Sequence, residues 1–194
     1  MPKLRPRISS TGLALAALAL PAAAQNTVRD GAAADWPMYH RDLTGNRYSP
    51  LTELTRANVA GLEPAWHYRF NRAGRPRITG PTPFELYQQI TPIVVRGVMY
   101  LPAGDRVVAL RPETGEEIWT FELGEGLASF RGVSYWPGTA DIAPRIFFTS
   151  LRKIIALNAA DGTRAAGFGT DGEVVLDVPY VGAPTLYKDR IIIG

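Results

Sequence analysis

The sequence contains no cysteine and only two histidines, His40 and His67. Without cysteine there can be no disulfide framework, no thiol chemistry, no covalently attached haem and no cysteine-ligated zinc. Two histidines argue against a histidine-rich metal site. His67 falls in the strand-like run 65–70 and is interpreted as a structural histidine rather than a metal ligand.

The chain also lacks an apolar run long enough to cross a bilayer. Its most apolar stretch, residues 12–20, is followed by small residues and preceded by three basic ones: Lys3, Arg5 and Arg7. This order is typical of a secretory signal peptide. We predict a signal peptide over residues 1–24, cleaved near Ala24-Gln25, then a flexible leader over 25–34, and therefore export of the mature chain. The absence of an Arg-Arg pair favours general secretion over the twin-arginine route.

The predicted mature chain has no excess of charge of either sign. The three basic residues of the signal peptide account for the whole formal net charge of +3, so their removal leaves a chain of zero net charge. The basic isoelectric point therefore gives no support for binding to nucleic acid.

The segment from Thr91 to Phe121 has the pattern of four short strands joined by tight turns. Arg96-Gly97 is typical of a two-residue hairpin turn, with a glycine free to adopt positive φ. A further turn is predicted at 103–106, and the last turn, 112–115, has proline early and glycine late. The predicted strands are 92–95, 98–101, 107–110 and 116–121. A sheet this small cannot bury its own faces and must stack on similar sheets.

The same pattern recurs along the chain. Residues 153–162 repeat 106–115 at a spacing of 47, and residues 184–193 repeat 92–101 at a spacing of 92. A period near 46 with four strands per unit predicts an all-β fold, a β-propeller of four-stranded antiparallel blades. An antiparallel sandwich with similar hairpins is the alternative. The predicted blade repeats are 88–123, 130–169 and 181–194 onward.

The region before the first repeat is turn-rich. We predict a short helix over about 53–57 and a strand over 62–70.

Several blocks of the sequence resemble quinoprotein dehydrogenases that use pyrroloquinoline quinone (PQQ). They cover residues 35–194, and the blocks are Asp35-Trp36-Pro37, 46–51, Asn58-Val59, Ala65-Trp66, Arg131–Trp136 and Phe168-Gly169. Ala109-Leu110, Gly115 and Trp119 are similar to the family's docking motif, in which a tryptophan of one blade packs against the next. The missing cysteine pair of the alcohol and methanol branch favours the branch that acts on sugars and polyols.

The resemblance implies an eight-bladed propeller, of which this chain would be an N-terminal fragment with about two blades and the start of a third. It further implies a periplasmic PQQ-dependent dehydrogenase that oxidises a sugar, polyol or alcohol and passes electrons to the respiratory chain through ubiquinone or a cytochrome c. The fragment alone is expected to be inactive. The alternative is a non-enzymatic propeller scaffold that binds proteins at the outer membrane.

The resemblance also implies site residues. Arg131 matches an arginine that contacts a PQQ carboxylate, and Gln89 falls where relatives place a Glu or Gln on the cofactor. Val181 stands where many relatives have a cofactor-binding Thr, and Ala166 stands where the second docking tryptophan is expected. The Ca²⁺ ligands and the catalytic Asp are expected beyond Gly194, so no catalytic or metal-binding residue is predicted within this sequence.

Overall fold

The computed structural model describes residues 34–70 and 89–194, in which ten β-strands and one 3-10 helix, Val59–Gly61, are the regular elements. The strands are β1 Ile93–Val95, β2 Val98–Pro102, β3 Arg106–Leu110, β4 Glu117–Glu122, β5 Ser134–Trp136, β6 Arg145–Ser150, β7 Lys153–Asn158, β8 Glu173–Val175, β9 Thr185–Tyr187 and β10 Arg190–Ile192. They form three antiparallel sheets. The first sheet has the order β1-β2-β3-β4, the second β5-β6-β7-β8, and the third contains β9 and β10.

The hairpin turns follow from local backbone chemistry. Arg96 and Gly97 both adopt positive φ, +52° and +73°, and Val95 pairs directly with Val98 across the turn. This is the two-residue turn whose twist matches that of the strands it joins. The predicted hairpin is therefore confirmed, with arginine also in the left-handed region.

Each four-stranded sheet has apolar side chains on both faces. In β3, Val107 and Ala109 point to one cluster of buried residues, whereas Val108 and Leu110 point to another. Because side chains alternate along a strand, both faces of the first sheet are buried. A two-sheet sandwich would leave one face of each sheet to solvent.

Three apolar layers separate the successive units. Layer 1 lies between the extended segment 62–70 and the first sheet, layer 2 between the first and second sheets, and layer 3 between the second and third. Sheets that stack in sequence order, each covered by the next, are the arrangement of propeller blades. The β-propeller prediction is confirmed, for the part of a propeller that this chain contains.

Tryptophan docking joins neighbouring units. The indole of Trp66 covers Gly115 and its Nε1 donates to the carbonyl of Pro112 at 2.9 Å. One repeat later, Trp119 covers Gly162 and donates to the carbonyl of Ala159 at 3.0 Å. A Cβ on either glycine would lie 2.6 or 2.5 Å from the indole, and both glycines have positive φ. Glycine is therefore required at each docking site for two reasons: the backbone has positive φ, and the indole leaves no room for a Cβ.

The second sheet lacks the tryptophan, as predicted, but Ala166 does not occupy its place in the strand. The chain pairs with Ala156 through Ala165, leaves the sheet, and pairs with Ala156 again through Gly172. Residues 166–171 form an inserted loop. Consequently β8 begins at Glu173, beyond the predicted end of this repeat at residue 169.

Phe168, carried by the inserted loop, fills layer 3. Its ring packs edge-on against Phe147 with centroids 5.2 Å apart. Phe147 lies one repeat after Tyr100, which packs against Trp119 at 5.9 Å in layer 2. Phe168 therefore packs in layer 3 against the residue that corresponds to Tyr100, as the docking Trp119 does in layer 2.

Two predicted elements before the first sheet were wrong. The helix predicted over 53–57 is replaced by a turn and the 3-10 helix defined above. The strand predicted over 62–70 is an extended segment that pairs with no strand among the described residues. A strand needs a partner for its backbone groups. In place of a partner strand, the buried Arg106 guanidinium donates hydrogen bonds to two backbone carbonyls of this segment, that of Phe70 at 3.0 Å and that of Arg69 at 3.2 Å.

The predicted signal peptide and nearly all of the predicted leader lie outside the described residues. Within residues 34–70 and 89–194, no helix has the length and apolar character that crossing a membrane requires.

A pH-dependent stability is expected from Tyr100 in layer 2. Burial raises the pKa of its phenol from 10.0 to about 12, and its hydroxyl donates to the carbonyl of Ala159 at 3.2 Å. Above pH 10 the unfolded chain loses this proton while the folded chain keeps it. Stability should therefore fall between about pH 10 and pH 12, by about 2–3 kcal/mol from this group.

The measurement is the free energy of unfolding as a function of pH, for the wild-type protein and for the Tyr100→Phe variant. The variant should lose about 1 kcal/mol at neutral pH through the missing hydrogen bond. Its alkaline loss should be smaller than that of the wild type. Equal alkaline slopes would contradict the assignment.

Candidate functional site

The first strands of neighbouring sheets approach one another at one end of the molecule. Thr91, just before β1, donates its backbone N–H to the carbonyl of Arg131 at 3.1 Å, and it forms a parallel bridge with Gly132 just before β5. A Cβ on Gly132 would lie 2.9 Å from the carbonyl oxygen of Thr91. Close approach of the two backbones therefore depends on glycine at this position. The strands β5 and β9 also contact each other.

A cavity of about 410 Å³ lies at these strand ends. Three parts of the chain line it: N-terminal residues between 37 and 45, the starts of β1 and β5 with the residues before them, and residues 183–186 leading into β9. Residues from three successive units thus converge on one space. The volume of this cavity lies within the range that is usual for small-molecule sites in proteins.

Arg131 lies in the wall of this cavity, and its side chain is exposed. Its backbone is fixed on both sides, since its N–H donates to the hydroxyl of Ser129 at 3.3 Å and its carbonyl accepts from Thr91. No described residue forms a hydrogen bond or ion pair with its guanidinium. A fixed backbone and a guanidinium at the wall of a cavity, unpaired within residues 34–70 and 89–194, are suited to binding an anion.

Gln89, the other predicted site residue, is exposed and lies two residues before Thr91. The parallel pairing of Thr91 with Gly132 places Gln89 and Arg131 at the same end of neighbouring strands. Gln89 is not among the residues that line the cavity. Its contact with a cofactor therefore stays a prediction.

Val181, the residue that departs from the family's threonine, is exposed and also lies outside the cavity wall. Its backbone carbonyl accepts a hydrogen bond from the Ser129 hydroxyl at 3.0 Å. The residues that reach the cavity from this segment are Ala183, Pro184, Thr185 and Leu186.

The N-terminal segment contributes a part of the cavity wall that residue patterns did not predict. Trp36 pairs antiparallel with Val94, with N–H···O distances of 2.7 and 3.0 Å, and so extends the first sheet beyond β1. The Asp35 carboxylate accepts from the amide of Arg96 at 2.8 Å. These contacts direct the chain across the cavity, where His40 and Asp42 become wall residues. The resemblance of the opening block was the only signal of its importance.

The two wall residues have defined hydrogen bonds. Arg47 Nε donates to His40 Nδ1 at 3.0 Å, which requires an unprotonated nitrogen there. The pKa of Asp42 is lowered, chiefly by hydrogen bonds from the side chain and backbone of Thr44, so that the carboxyl stays ionised.

No group of three or more His, Cys, Asp or Glu side chains that could hold a metal ion occurs among residues 34–70 and 89–194. His67, interpreted from the sequence as a structural histidine rather than a metal ligand, is exposed. It alternates with Trp66 and Tyr68, which face layer 1, so its side chain points the other way.

Comparison with known proteins gives a consistent family assignment. Residues 36–192 match the PQQ family model described as "Glucose/ethanol/alcohol dehydrogenase, beta-propeller domain". The chain is 33% identical over 175 residues to a quinoprotein glucose dehydrogenase of Escherichia coli, covering 81% of this chain and 21% of that protein. It is 33% identical over 158 residues to the glycerol dehydrogenase large subunit of Gluconobacter oxydans, covering 75% and 21% respectively.

A solved structure agrees. The crystal structure of quinohemoprotein alcohol dehydrogenase from Comamonas testosteroni matches with a TM-score of 0.58 and 28% identity, over 86% of this chain and 24% of that one. The chain thus spans about a fifth of the length of the curated relatives it matches. Because the family model covers most of the sequence and the stacked sheets agree with it, the chain belongs to the PQQ β-propeller family of glucose, ethanol and alcohol dehydrogenases.

Proposed function

We propose that this chain is part of a periplasmic dehydrogenase that uses PQQ to oxidise a sugar, a polyol or an alcohol and passes the electrons to the respiratory chain. The relatives named as glucose, glycerol and alcohol dehydrogenases support this substrate class. The observation that carries the proposal is the Arg131 guanidinium, exposed at the wall of the cavity and unpaired among the described residues.

The chemistry of Arg131 fits the cofactor. PQQ carries three carboxylates, and a guanidinium presents a planar fork of donors that matches a carboxylate in two parallel hydrogen bonds. In our proposal Arg131 binds one of these carboxylates, and Gln89 contacts the rim of the cofactor through its amide, which can donate and accept. Bound PQQ would supply the acceptor of hydride or its equivalent from the alcohol carbon.

The remaining machinery is assigned outside this sequence. We propose that Ca²⁺ and the catalytic Asp are held by residues beyond Gly194, and that the electron acceptor is ubiquinone or a cytochrome c. The predicted signal peptide over residues 1–24 supports the periplasmic location.

The proposal is tested on the complete protein from which this chain comes. PQQ and Ca²⁺ are added, and dye reduction is assayed with glucose, polyols and simple alcohols; the same preparation without PQQ is the control. Reduction that depends on PQQ with at least one of these substrates is the expected result. Tight PQQ binding without activity on any of them would favour the propeller scaffold, and no PQQ binding would overturn the cofactor site itself.

A further inference from the structure

Two buried hydroxyl groups hold the segment that leads into the third sheet. One belongs to Ser129, shortly before β5, and the other to Thr149 in the second sheet. Ser129 is 3% exposed, and its Oγ donates to the carbonyl of Val181 at 3.0 Å. Thr149, in β6, is fully buried, and its Oγ1 donates to the carbonyl of Gly182 at 2.8 Å. Neither residue lines the cavity that contains Arg131. Both therefore act on the cavity only through the backbone that they hold.

The same Ser129 hydroxyl also fixes Arg131. It accepts the backbone N–H of Arg131 at 3.3 Å while it donates to Val181, so a single oxygen connects the two segments. A movement of either segment would break a hydrogen bond to the buried Ser129 hydroxyl, and a buried hydroxyl left without a partner is costly. The position of Arg131 is thereby tied to that of residues 181–183.

These two hydrogen bonds act on backbone that leads directly into the cavity wall. The carbonyl groups of Val181 and Gly182 accept from the hydroxyls of Ser129 and Thr149. The next residues, Ala183 and Pro184, form part of the wall. The course of the chain at this part of the wall is therefore fixed by two side chains that do not line the cavity.

We propose that Ser129 and Thr149 are positioning residues of the PQQ site. They hold Arg131 and the segment 181–184 at fixed relative positions before the cofactor binds, so that binding does not have to order them. This inference rests on the proposed function and extends it to residues that touch no cofactor atom. It also accounts for a site in which Val181 supplies no hydroxyl of its own.

Thr149 offers a set of closely matched variants. Thr149→Val keeps the shape of the side chain but cannot donate, whereas Thr149→Ser keeps the hydroxyl. Ser150→Ala is the control, because Ser150 is the next residue of β6, is also buried, and its hydroxyl has no partner among the described residues. Ser129→Ala removes the second positioning group.

The experiment is an equilibrium titration of the complete apoprotein with PQQ in the presence of Ca²⁺. Thr149→Val and Ser129→Ala should each raise the dissociation constant about five- to tenfold, the effect of one lost buried hydrogen bond. Thr149→Ser and Ser150→Ala should bind as the wild type does. If Thr149→Val and Ser129→Ala bind PQQ no more weakly than Ser150→Ala, the proposal is wrong.

A thermal unfolding measurement on the same variants separates positioning from plain structural support. PQQ should raise the unfolding temperature of the wild type, because it binds only the folded protein. In Thr149→Val this rise should be smaller at the same PQQ concentration; an unchanged rise would contradict positioning. If the wild type itself binds no PQQ, the proposed function fails and this inference fails with it, whereas wild-type binding with unaffected variants overturns the inference alone.

Discussion

Replacing Arg131 by alanine is expected to weaken PQQ binding by about a hundredfold. The expected size follows from losing a charge-assisted, two-point contact to a carboxylate, which contributes up to about 3 kcal/mol. No residue within 34–70 and 89–194 pairs with the guanidinium, so its loss leaves no unpaired partner there and the folded structure should be retained. The dissociation constant of the complete protein for PQQ, measured by titration, gives the result directly.

Two further variants sharpen this prediction. Arg131→Lys keeps the charge but not the planar fork, so binding should be weakened by about tenfold. Arg111→Ala removes an exposed arginine whose partner is the surface residue Glu116, at 3.2 Å, and it should leave binding unchanged. Binding by Arg131→Ala that equals binding by Arg111→Ala would remove Arg131 from the cofactor site.

Replacing Trp119 by alanine is expected to lower the free energy of unfolding by about 3–5 kcal/mol. The indole is 9% exposed, packs in layer 2 against Tyr100, and covers Gly162 of the next unit. Removing it leaves a cavity between two sheets and also removes the hydrogen bond to the Ala159 carbonyl. Denaturant unfolding of the complete protein measures the change.

Trp119→Phe separates the two contributions. It keeps most of the apolar ring but has no N–H, so a loss nearer 1–2 kcal/mol is expected. An alanine variant as stable as the phenylalanine variant would show that the indole does not hold these units together.

Local chemistry made the first sheet predictable. The Arg96-Gly97 turn and the period-2 alternation of 107–110 are decided by neighbouring residues, and the structure places them as expected. The spacing of 47 located the repeated turns with Gly115 and Gly162. A glycine at each of these turns is needed both for its φ and for the indole above it, which explains why the repeat is visible in the sequence.

Elements that depend on distant contacts were not predictable in this way. The segment 62–70 alternates like a strand, but strand formation depends on a partner that its own residues do not supply. Phe168 enters layer 3 from a loop, at a position that the repeat spacing did not indicate. In both cases packing against another unit, rather than local preference, decides the conformation.

Some residues of the candidate site could be identified from the sequence and others could not. Arg131 was found because the block Arg131–Trp136 resembles a family motif. The hydroxyls of Ser129 and Thr149 gave no sequence signal, because their partners lie 52 and 33 residues away. The wall residues His40 and Asp42 likewise reach the cavity only through the pairing of Trp36 with Val94.

The most direct test of the central claim is a structure of the complete protein determined with PQQ bound. We expect the cofactor to lie where β1, β5 and β9 begin, with a carboxylate within hydrogen-bonding distance of the Arg131 guanidinium. PQQ bound elsewhere, or an Arg131 side chain directed into bulk water away from it, would show that this cavity is not the cofactor site.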